Sequence, residues 1–325
     1  MRIFTAPETI NIENSCVTIG NFDGVHKGHQ YLLNQVRTYA GQAGLRSVVV
    51  TFDPHPLRVL KGIKQPPFIT LTKQKLGLIE KAGIDAVFCI NFTREMANLT
   101  PEKFVETYLV NALSMRHLII GYDYAFGKNR SGNFQTLQEL GEKFGYTVQQ
   151  SRPFAYNGGA VSSTRIREMI EAGQVFEARE LLGRFYRVEG QVVHGQNRGG
   201  RLLGFPTANL CLTDELFPLP GVYAVFAEYE NMVMPAVANI GFNPTFGNDV
   251  LSVEVHIPNF SADMYGKQLY VHFVRNLRPE KKFGGLDELK QQIQADIDQA
   301  QKILASDDTE TKKFLWTTDY LGRAS

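Results

Sequence analysis

Two histidines three residues apart, His26 and His29, end a glycine-rich segment near the start of the chain. A predicted strand runs into the turn before them, which contains residues that could approach a ligand: Gly20, Phe22, Asp23 and Gly24. Glycines let the backbone pass close to a ligand, and a helix predicted to begin near His29 would direct its N–H groups and positive dipole end towards an anion. The pattern predicts a phosphate site, but a strand-to-helix turn with two surface histidines would look the same.

A second set of residues that could bind phosphate opens a later helix. Ser162, Ser163, Thr164, Arg165 and Arg167 place hydroxyl and guanidinium groups at a predicted helix N-terminus, where backbone N–H groups also favour anions. Helix capping by serine or threonine alone would give the same pattern. Since the chain contains neither a P-loop motif nor a dinucleotide fingerprint, the two sets together favour a different kind of nucleotide site.

A glycine-rich segment of the second half, GQNRGGRLLGFPTAN, ends in small polar residues. Gly199, Gly200 and Arg201 lie in it, and its backbone N–H groups could bind phosphates. Thr207 and Asn209 would share a strand face and offer two neutral oxygens. This sparse set suits Mg²⁺, because phosphates and water complete the coordination of that ion. From spacing alone, a loop between two strands is the simpler interpretation.

Glu254 lies in the segment LSVEVHI, which alternates as a strand does. Val253, Val255 and Ile257 share one face, so the carboxylate of Glu254 points to the other face. A carboxylate on the outer face of a barrel strand is usually only solvated, so the strand pattern alone does not assign it a role.

Composition excludes several classes of protein. With 325 residues the chain favours two domains, and 34 basic residues against 33 acidic ones argue against binding nucleic acid by bulk charge. Cys16, Cys89 and Cys211 are widely spaced, which argues against a disulfide scaffold or a structural zinc site. The first residues do not resemble a signal peptide, and no apolar run approaches a membrane span. We expect a soluble, cytoplasmic protein without nucleic-acid or membrane partners.

The first half alternates predicted strands and amphipathic helices, which favours an α/β fold with a parallel sheet covered on both faces. The predicted strands are Cys16–Phe22, Ser47–Phe52, Ala86–Phe92, His117–Tyr122 and Thr147–Gln150. The predicted helices are His29–Ala43, Thr72–Ala82, Pro101–Leu113 and Phe134–Phe144, followed by Ser162–Gly173 and Phe176–Leu182.

After Gly183 short strands follow one another without helices between them, which is typical of an antiparallel barrel or sandwich. The predicted strands are Tyr186–Val193, Gly221–Tyr229, Met232–Ile240, Leu251–Ile257 and Gln268–Val274. One helix, from Leu286 to about Ala305, closes this half. We therefore predict an α/β domain over residues 1–183 and an all-β domain with a C-terminal helix over residues 184–325.

The motifs resemble those of a known enzyme family. GNFDGVHKGH with SSTRIR is similar to the HxGH/ISSTxIR nucleotidyltransferases, and with DPHP and GYDYAFG it resembles the bacterial bifunctional riboflavin kinase/FAD synthetases. In the second half, GRLLGFPTAN, GVYA, NIGFNPTF, VEVHIPNF and RPEKKF resemble riboflavin kinase motifs. The family usually has Phe where this chain has Tyr124, a change that keeps the aromatic ring. The resemblance covers about residues 15–305.

The resemblance implies a Rossmann-like nucleotidyltransferase domain that joins AMP from ATP to FMN and releases pyrophosphate. His26 and His29 would donate to phosphate oxygens in the transition state, beside the ATP- and phosphate-binding turn from Gly20 to Gly24. Further residues would hold the leaving β- and γ-phosphates: Ser163, Thr164 and Arg167. Asp123 and Phe126 would contact the adenosine or the flavin. Asp53 and His55 are assigned to the same side, although DPHP could merely shape a turn.

For the second domain, the resemblance implies a six-stranded antiparallel barrel with a C-terminal helix that phosphorylates riboflavin with ATP. Thr207 and Asn209 would bind Mg²⁺ and the ATP phosphates, as would the loop containing Gly199, Gly200 and Arg201. Glu254 would act as the general base on the riboflavin 5′-hydroxyl. Both steps would need Mg²⁺, and the partners would be riboflavin, FMN and ATP.

Three other functions remain as alternatives. One is a monofunctional FMN adenylyltransferase with a flavin-binding, non-catalytic barrel. The second is a flavin-binding regulator, which loss of Glu254 or of the pair Thr207 and Asn209 would indicate, but these residues are present. The third is a nucleotidyltransferase for another acceptor with a nucleic-acid-binding barrel, which the absence of a basic aromatic stripe disfavours.

Overall fold

The structure is a computed structural model that describes residues 1–62, 67–194, 204–212, 214–242 and 251–305. These residues form two units. The first unit comprises Met1–Pro67 and Leu71–Ser162, and the second comprises Phe68–Thr70 and the chain from Ser163 onward. Residues 163–183 therefore belong by packing to the second unit, whereas the sequence places them in the first domain. The division of the activities at residue 183 stays a prediction.

The first unit is built on six parallel strands. In chain order they are β1 (Arg2–Phe4), β2 (Ser15–Ile19), β3 (Arg46–Phe52), β4 (Ala86–Ile90), β5 (Met115–Ile120) and β6 (Thr147–Gln150). Their order across the sheet is β1-β4-β3-β2-β5-β6. The chain thus runs outwards in one direction from β2 to β4 and then returns to the other side of β2 with β5. The crevice at the carboxyl ends of β2 and β5 is the switch point where ligands bind in open α/β sheets.

Helices cover both faces of this sheet, as the apolar character of the strands predicts. They are α1 (Lys27–Ala43), α2 (Pro56–Lys61), α3 (Thr72–Lys81), α4 (Arg94–Ala97), α5 (Pro101–Phe104) and α6 (Phe134–Phe144). A π-helical stretch, Val105–Asn111, continues α5. On β3, Val49 packs into one core with Val36 of α1, while Val48 and Val50 pack into the opposite core with Leu137 of α6. A short hairpin, β7 (Ala155–Tyr156) and β8 (Gly159–Ala160), completes the unit.

Two helices and a closed antiparallel barrel form the second unit. The helices are α7 (Ser163–Glu171) and α8 (Val175–Leu182). The strands are β9 (Tyr186–Val193), β10 (Ala208–Cys211), β11 (Gly221–Tyr229), β12 (Met232–Phe242), β13 (Leu251–His256) and β14 (Gln268–Arg278), and the barrel closes in the order β10-β13-β12-β11-β14-β9. Val253, Val255, Ala238 and Ile240 are buried in its interior, so the residues between them on β12 and β13 face outwards.

The last helix, α9 (Leu286–Ala305), packs on the outside of the barrel. Its Ala300 and Leu304 share a buried cluster with Ala224 and Phe226 of β11 and Val274 of β14. This packing follows the apolar stripe of the helix and covers part of the outer face of β11, β12 and β14.

A short segment far away in sequence completes the second unit. The backbone N–H of Phe68 donates to the carbonyl of Asp214 (3.1 Å), and the N–H of Leu216 donates to the carbonyl of Phe68 (3.0 Å). The hydroxyl of Tyr186 also donates to the carbonyl of Leu216. Phe68–Thr70, which lie between β3 and α3 in sequence, are therefore part of the second unit.

The predicted fold class is confirmed, with differences at particular elements. The sequence pattern missed the short strands β1, β7 and β8, because two or three residues give too little alternation to recognise. It placed Asn209 on a strand without giving that strand bounds, and the structure bounds it as β10. It also placed the start of α1 at His29, whereas the helix begins at Lys27 and is capped by His26. The predicted start of the helix at Pro101 is confirmed, since the side chain of Thr100 accepts from the N–H of Lys103.

Two glycines inside helices provide a test of this packing. A Cβ at Gly77 of α3 would meet nothing within 4 Å, whereas a Cβ at Gly141 of α6 would lie 2.6 Å from the carbonyl oxygen of Tyr146. We expect Gly77→Ala to raise the free energy of unfolding of the first unit by about 0.5–1 kcal/mol. Gly141→Ala should lower it by about 1–3 kcal/mol through overpacking. Urea unfolding of the two variants measures both values, and equal shifts would contradict the packing of α6.

Candidate active sites

The turn after β2 holds an unusual backbone conformation. Phe22, Gly24 and Val25 all have positive φ, at 50°, 85° and 36°, a region that side chains other than glycine rarely adopt. The N–H of Val25 donates to the carbonyl of Phe22 (3.2 Å), and the side chain of Gln30 donates to the carbonyl of Val25 (2.8 Å). These contacts hold the turn at the carboxyl edge of the sheet, next to the N-terminus of α1.

The two histidines of the motif lie together at this helix N-terminus. The Nδ1 atom of His26 accepts from the backbone N–H of His29 (3.2 Å) and so caps α1. The imidazole rings stack with centroids 3.6 Å apart and an angle of 15° between their planes. The ring of Phe22 packs edge-on against His29, with centroids 5.1 Å apart. The structure therefore brings together His26, His29 and the turn, as the sequence predicts.

The space around Gly28, between the two histidines, explains why this position holds a glycine. A Cβ at Gly28 would lie 3.2 Å from the imidazole of His26 and 3.3 Å from the carbonyl oxygen of Val161. A side chain at this position would press on the ring of His26. The spacing of the motif thus keeps both imidazoles at the end of the helix.

The other residues predicted near this site differ in their exposure and in their contacts. Asp123 is exposed on the loop after β5, beside the strand that leads into the histidine turn. Phe126 is buried and packs against Phe104, with ring centroids 5.9 Å apart, so it also serves the core. The Nδ1 atom of His55 accepts from the N–H of Leu57 and caps α2, in line with a turn-shaping role for DPHP. Asp53, also predicted here, is exposed at the end of β3.

The serine- and arginine-containing motif opens α7 in the second unit. Ser163 and Thr164 lie in the first turn, and Arg167 is half-buried one turn later. Ile166 and Ile170 are fully buried and fix the opposite face of the helix. The hydroxyls and the helix N-terminus thus have the local arrangement expected for phosphate binding, and this role stays a prediction.

Lys75 of α3 is a residue that sequence reasoning missed. Its ammonium nitrogen donates to the carbonyl of Asn21 in the histidine turn (3.3 Å), to Thr51 Oγ1 (3.2 Å) and to the carbonyl of Phe52 (3.2 Å). Burial lowers the pKa of Lys75, against the opposing electrostatic effects of Cys89, Asp23 and Asp53. A lysine one turn before the buried Ile79, on the apolar side of a helix, is the signal that could have found it.

The second unit contains a cavity of about 380 Å³ between α9 and the outer face of the barrel. Its polar part is lined by Thr207, Asn239, Glu254, His256 and Glu280. Its apolar part is lined by side chains of the barrel, of α9 and of the loop before that helix: Phe205, Val222, Val237, Phe283, Leu289, Ile293 and Ile297. The combination of a large apolar surface with a few polar groups is typical of a small-molecule site.

Strand register aligns the polar groups of this cavity. Glu254 of β13 is paired with Asn209 of β10 on one side and with Asn239 of β12 on the other. Thr207 lies two residues before Asn209, and it lines the cavity together with Asn239 and Glu254. Burial raises the pKa of the Glu254 carboxyl above its ordinary value. The structure thus brings together the three predicted residues and adds Asn239, which belongs to the motif NIGFNPTF.

This row offers oxygen ligands of the kind that Mg²⁺ prefers: a carboxylate, a hydroxyl and amide carbonyls. In the described ranges, no group of three or more His, Cys, Asp or Glu side chains could enclose a metal ion. The donor set fits a Mg²⁺ ion that would share its coordination with phosphates and water. The predicted phosphate residues Gly199, Gly200 and Arg201 lie outside the described residues.

An ion pair fixes the helical wall of the cavity. The guanidinium of Arg278, at the end of β14, contacts both carboxylate oxygens of the buried Asp296 on α9, at 2.8–3.1 Å. Gln292 donates to the same carboxylate (2.9 Å), and Arg278 and Lys281 lie over the ring of Phe283. Bidentate pairing of this kind is geometrically specific, so it sets where α9 lies on the barrel.

Known proteins match both units. The sequence model of the FAD synthetase family matches residues 9–165, and that of the riboflavin kinase family matches residues 182–304. A Haemophilus influenzae protein named bifunctional riboflavin kinase/FMN adenylyltransferase is 38% identical over 296 residues, covering 91% of this chain and 96% of that protein. A protein of the same name from Escherichia coli K12 is 37% identical over 285 residues, covering 87% of this chain and 91% of that protein.

A solved structure resembles the whole fold. The crystal structure described as a macrolide-efflux protein from Streptococcus pneumoniae superposes with a TM-score of 0.84 at 32% identity, covering 92% of this chain and 98% of that one. The likeness of fold thus extends over nearly the full length of both chains. None of the helices in the described part of this chain is both long enough and apolar enough to cross a membrane.

The partly buried carboxyl of Glu254 leads to a prediction about stability. Its raised pKa means that the folded unit disfavours the ionised form, so the carboxyl stabilises the fold only at low pH and loses this effect as the pH rises through the folded pKa. Glu254→Gln should therefore stabilise the second unit at pH 7, and the gain should vanish below about pH 4, where the ordinary carboxyl is also protonated.

Urea-dependent hydrogen exchange of the barrel strands would measure this gain at the two pH values. Glu189→Gln is the matched control, because that carboxylate is on β9 and pairs with Arg187 (3.0 Å), so its removal should bring no gain. An equal stability of wild type and Glu254→Gln at pH 7 would contradict the burial of the charge.

Proposed function

The chain belongs to the family of bifunctional riboflavin kinase/FMN adenylyltransferases, and from this premise we propose which residues carry each of its two reactions. The protein transfers the γ-phosphoryl group of ATP to riboflavin, forming FMN, and then joins AMP from a second ATP to FMN, forming FAD and pyrophosphate. Both family matches and the bifunctional relatives favour this function over a monofunctional adenylyltransferase with a non-catalytic barrel.

We assign the kinase reaction to the cavity beneath α9. Its apolar lining fits the flat tricyclic ring of riboflavin, and its polar row would receive the ribityl chain that ends in the 5′-hydroxyl. Glu254 accepts the proton of that hydroxyl as its oxygen attacks the γ-phosphorus and the bond to the β-phosphate oxygen breaks. The burial that raises the pKa of Glu254 makes its carboxylate a stronger base. This raised pKa, within the register-aligned polar row, is the observation that carries the assignment.

We propose that Thr207 and Asn209 bind Mg²⁺ together with the phosphates of ATP. Asn209 is only 6% exposed and is paired in register with Glu254, which supports a shared role. A bound Mg²⁺ would neutralise charge on the phosphates during transfer. The residues Gly199, Gly200 and Arg201, on the same glycine-rich segment, are proposed to bind the ATP phosphates.

We assign adenylyl transfer to the histidine motif. A phosphate oxygen of FMN attacks the α-phosphorus of ATP, and the bond from that phosphorus to the oxygen of the leaving pyrophosphate breaks. Because the Nδ1 atom of His26 accepts the N–H of His29, the neutral ring carries its proton on Nε2, which can donate to a phosphate oxygen. His29, stacked on His26, would donate beside it, and the N-terminus of α1 favours the same anion.

The remaining residues are assigned to the same reaction. The turn with Gly20, Phe22, Asp23 and Gly24 is proposed to bind ATP. Ser163, Thr164 and Arg167 are proposed to hold the β- and γ-phosphates that leave. Asp123 and Phe126 are proposed for the flavin or adenosine side, with Asp53 and His55.

We further propose that the protein acts in the cytoplasm. Cys16, Cys89 and Cys211 form no disulfide, which is typical of a reducing compartment, and ATP is a substrate of both reactions.

Replacing His29 tests the first site. His29→Ala removes one donor to the transition state, so FMN adenylylation should fall by roughly 10²–10³-fold. Riboflavin phosphorylation by the same polypeptide should be unchanged and serves as the internal control. Separation of FMN and FAD by HPLC, with FMN or riboflavin supplied, measures both rates. Full FAD synthesis from FMN by the variant would refute the assignment.

Replacing Glu254 tests the second site. Glu254→Gln keeps the shape and loses the base, so FMN formation should stop while conversion of supplied FMN to FAD continues. In the wild type, the kinase rate should decline as the pH falls through the raised pKa of Glu254. The control variant Glu189→Gln should retain both activities. An unimpaired kinase rate in Glu254→Gln would exclude the base role.

A further inference from the structure

Lys75 is a buried charge that neither reaction has so far explained. Its side chain is 6% exposed, although lysine is almost never fully buried unless it is paired. It extends from α3 beneath the carboxyl edge of the sheet, and no carboxylate is among its three hydrogen-bond partners. Since burial disfavours its charge, a lysine here costs stability that an apolar residue would avoid.

The three contacts of Lys75 join two neighbouring strand ends. An ammonium group has three N–H donors, and those of Lys75 are used on Asn21, Thr51 and Phe52. Thr51 and Phe52 end β3, whereas Asn21 lies in the turn that follows β2. Thr51 Oγ1 also donates to the carbonyl of Asn21 (3.2 Å). The carbonyl of Asn21 thus accepts hydrogen bonds from two side chains, those of Lys75 and Thr51.

The turn that these donors hold is the one with positive φ. Phe22 follows Asn21 directly and has a φ of 50°. A non-glycine residue in this region is strained, and it persists only where its surroundings enforce it. Fixing the carbonyl of Asn21 fixes the peptide plane that leads into Phe22, so Lys75 and Thr51 supply that enforcement.

Phe22 connects this turn to the histidine site. Its side chain is buried, and its ring packs edge-on against His29 at 5.1 Å. If Asn21 shifts, the ring of Phe22 and with it the imidazole of His29 must shift as well. A displacement of about 1 Å at a reacting group can reduce the rate about 100-fold.

We propose that Lys75 is a positioning residue for adenylyl transfer, which holds the turn after β2 so that Phe22 sets His29 in its reactive position. The proposal rests on the assignment of His29 to this reaction. Lys75 acts through the turn and touches neither substrate.

Lys75→Met keeps most of the side-chain volume and removes all three donors. The kcat of FMN adenylylation should fall by about 10–100-fold with KM for FMN unchanged, because the displaced His29 acts in the transition state. Riboflavin kinase activity should not change. The control is Lys73→Met, an exposed lysine of the same helix, which should retain both activities. An unchanged kcat, or a rise in KM alone, would overturn the proposal.

A double-mutant cycle separates positioning from a general structural role. If Lys75 acts through His29, Lys75→Met should cost less than about twofold in a His29→Ala background. The same cost in both backgrounds would overturn the link to His29. If His29→Ala itself synthesises FAD at the full rate, the proposed function fails instead, so the two failures are distinguishable.

Thr51→Val covers the case in which Lys75→Met does not fold. It is nearly isosteric and removes one donor to Asn21 and one acceptor of Lys75. It should lower the kcat of adenylylation in the same way but by less, again with KM for FMN unchanged and kinase activity retained. A wild-type kcat in a folded Thr51→Val variant would then overturn the proposal.

Discussion

Successive side chains of a β-strand point in opposite directions, and this constraint determines where both sites of the protein can lie. In the parallel sheet both directions are filled by packed helices, as Val48 and Val49 of β3 illustrate by facing opposite cores. Side chains that could bind or react with a ligand are therefore confined to the strand ends, where the turn before His26 lies. In the barrel the inward direction is filled by residues such as Val253, so the adjacent Glu254 points outwards, and α9 must cover it to make a pocket.

Glu254 and Lys75 are ionisable side chains, one in each unit, and burial shifts their pKa values in opposite directions. It raises the pKa of the acid Glu254 and lowers that of the base Lys75, because in both cases the charged form loses its hydration. For Glu254 this strengthens the carboxylate as a base, which the proposed role requires. For Lys75 the three hydrogen bonds partly offset the cost of removing the ammonium group from water. If both proposed roles hold, both residues place function ahead of stability at their positions.

The sequence predicts the candidate residues that stand in local motifs. It misses residues that only the fold brings close to a candidate site. His26, His29, Thr207 and Glu254 stand in recognisable local patterns, and the structure gathers them as those patterns predict. Lys75 could not be paired with Asn21 in advance, since a contact across 54 residues depends on the order of the strands. The bounds of the barrel strand that carries Asn209 could not be predicted for a different reason. Four residues are too few to show alternation, and the strand is defined by its pairing with β9 and β13.

The second unit consists of two separate stretches of chain, and this has a consequence for how such a protein could be divided in evolution or in the laboratory. A gene fragment that begins after residue 162 encodes the barrel and its helices but omits Phe68–Thr70. The carbonyl of Asp214 and the N–H of Leu216 would then lose their partners on Phe68. A buried backbone group that loses its hydrogen-bond partner must bond to water instead, or the loop must rearrange to supply a new partner. A free-standing kinase derived from this chain would therefore need either a substitute for that strand pairing or a redesigned loop around Leu216.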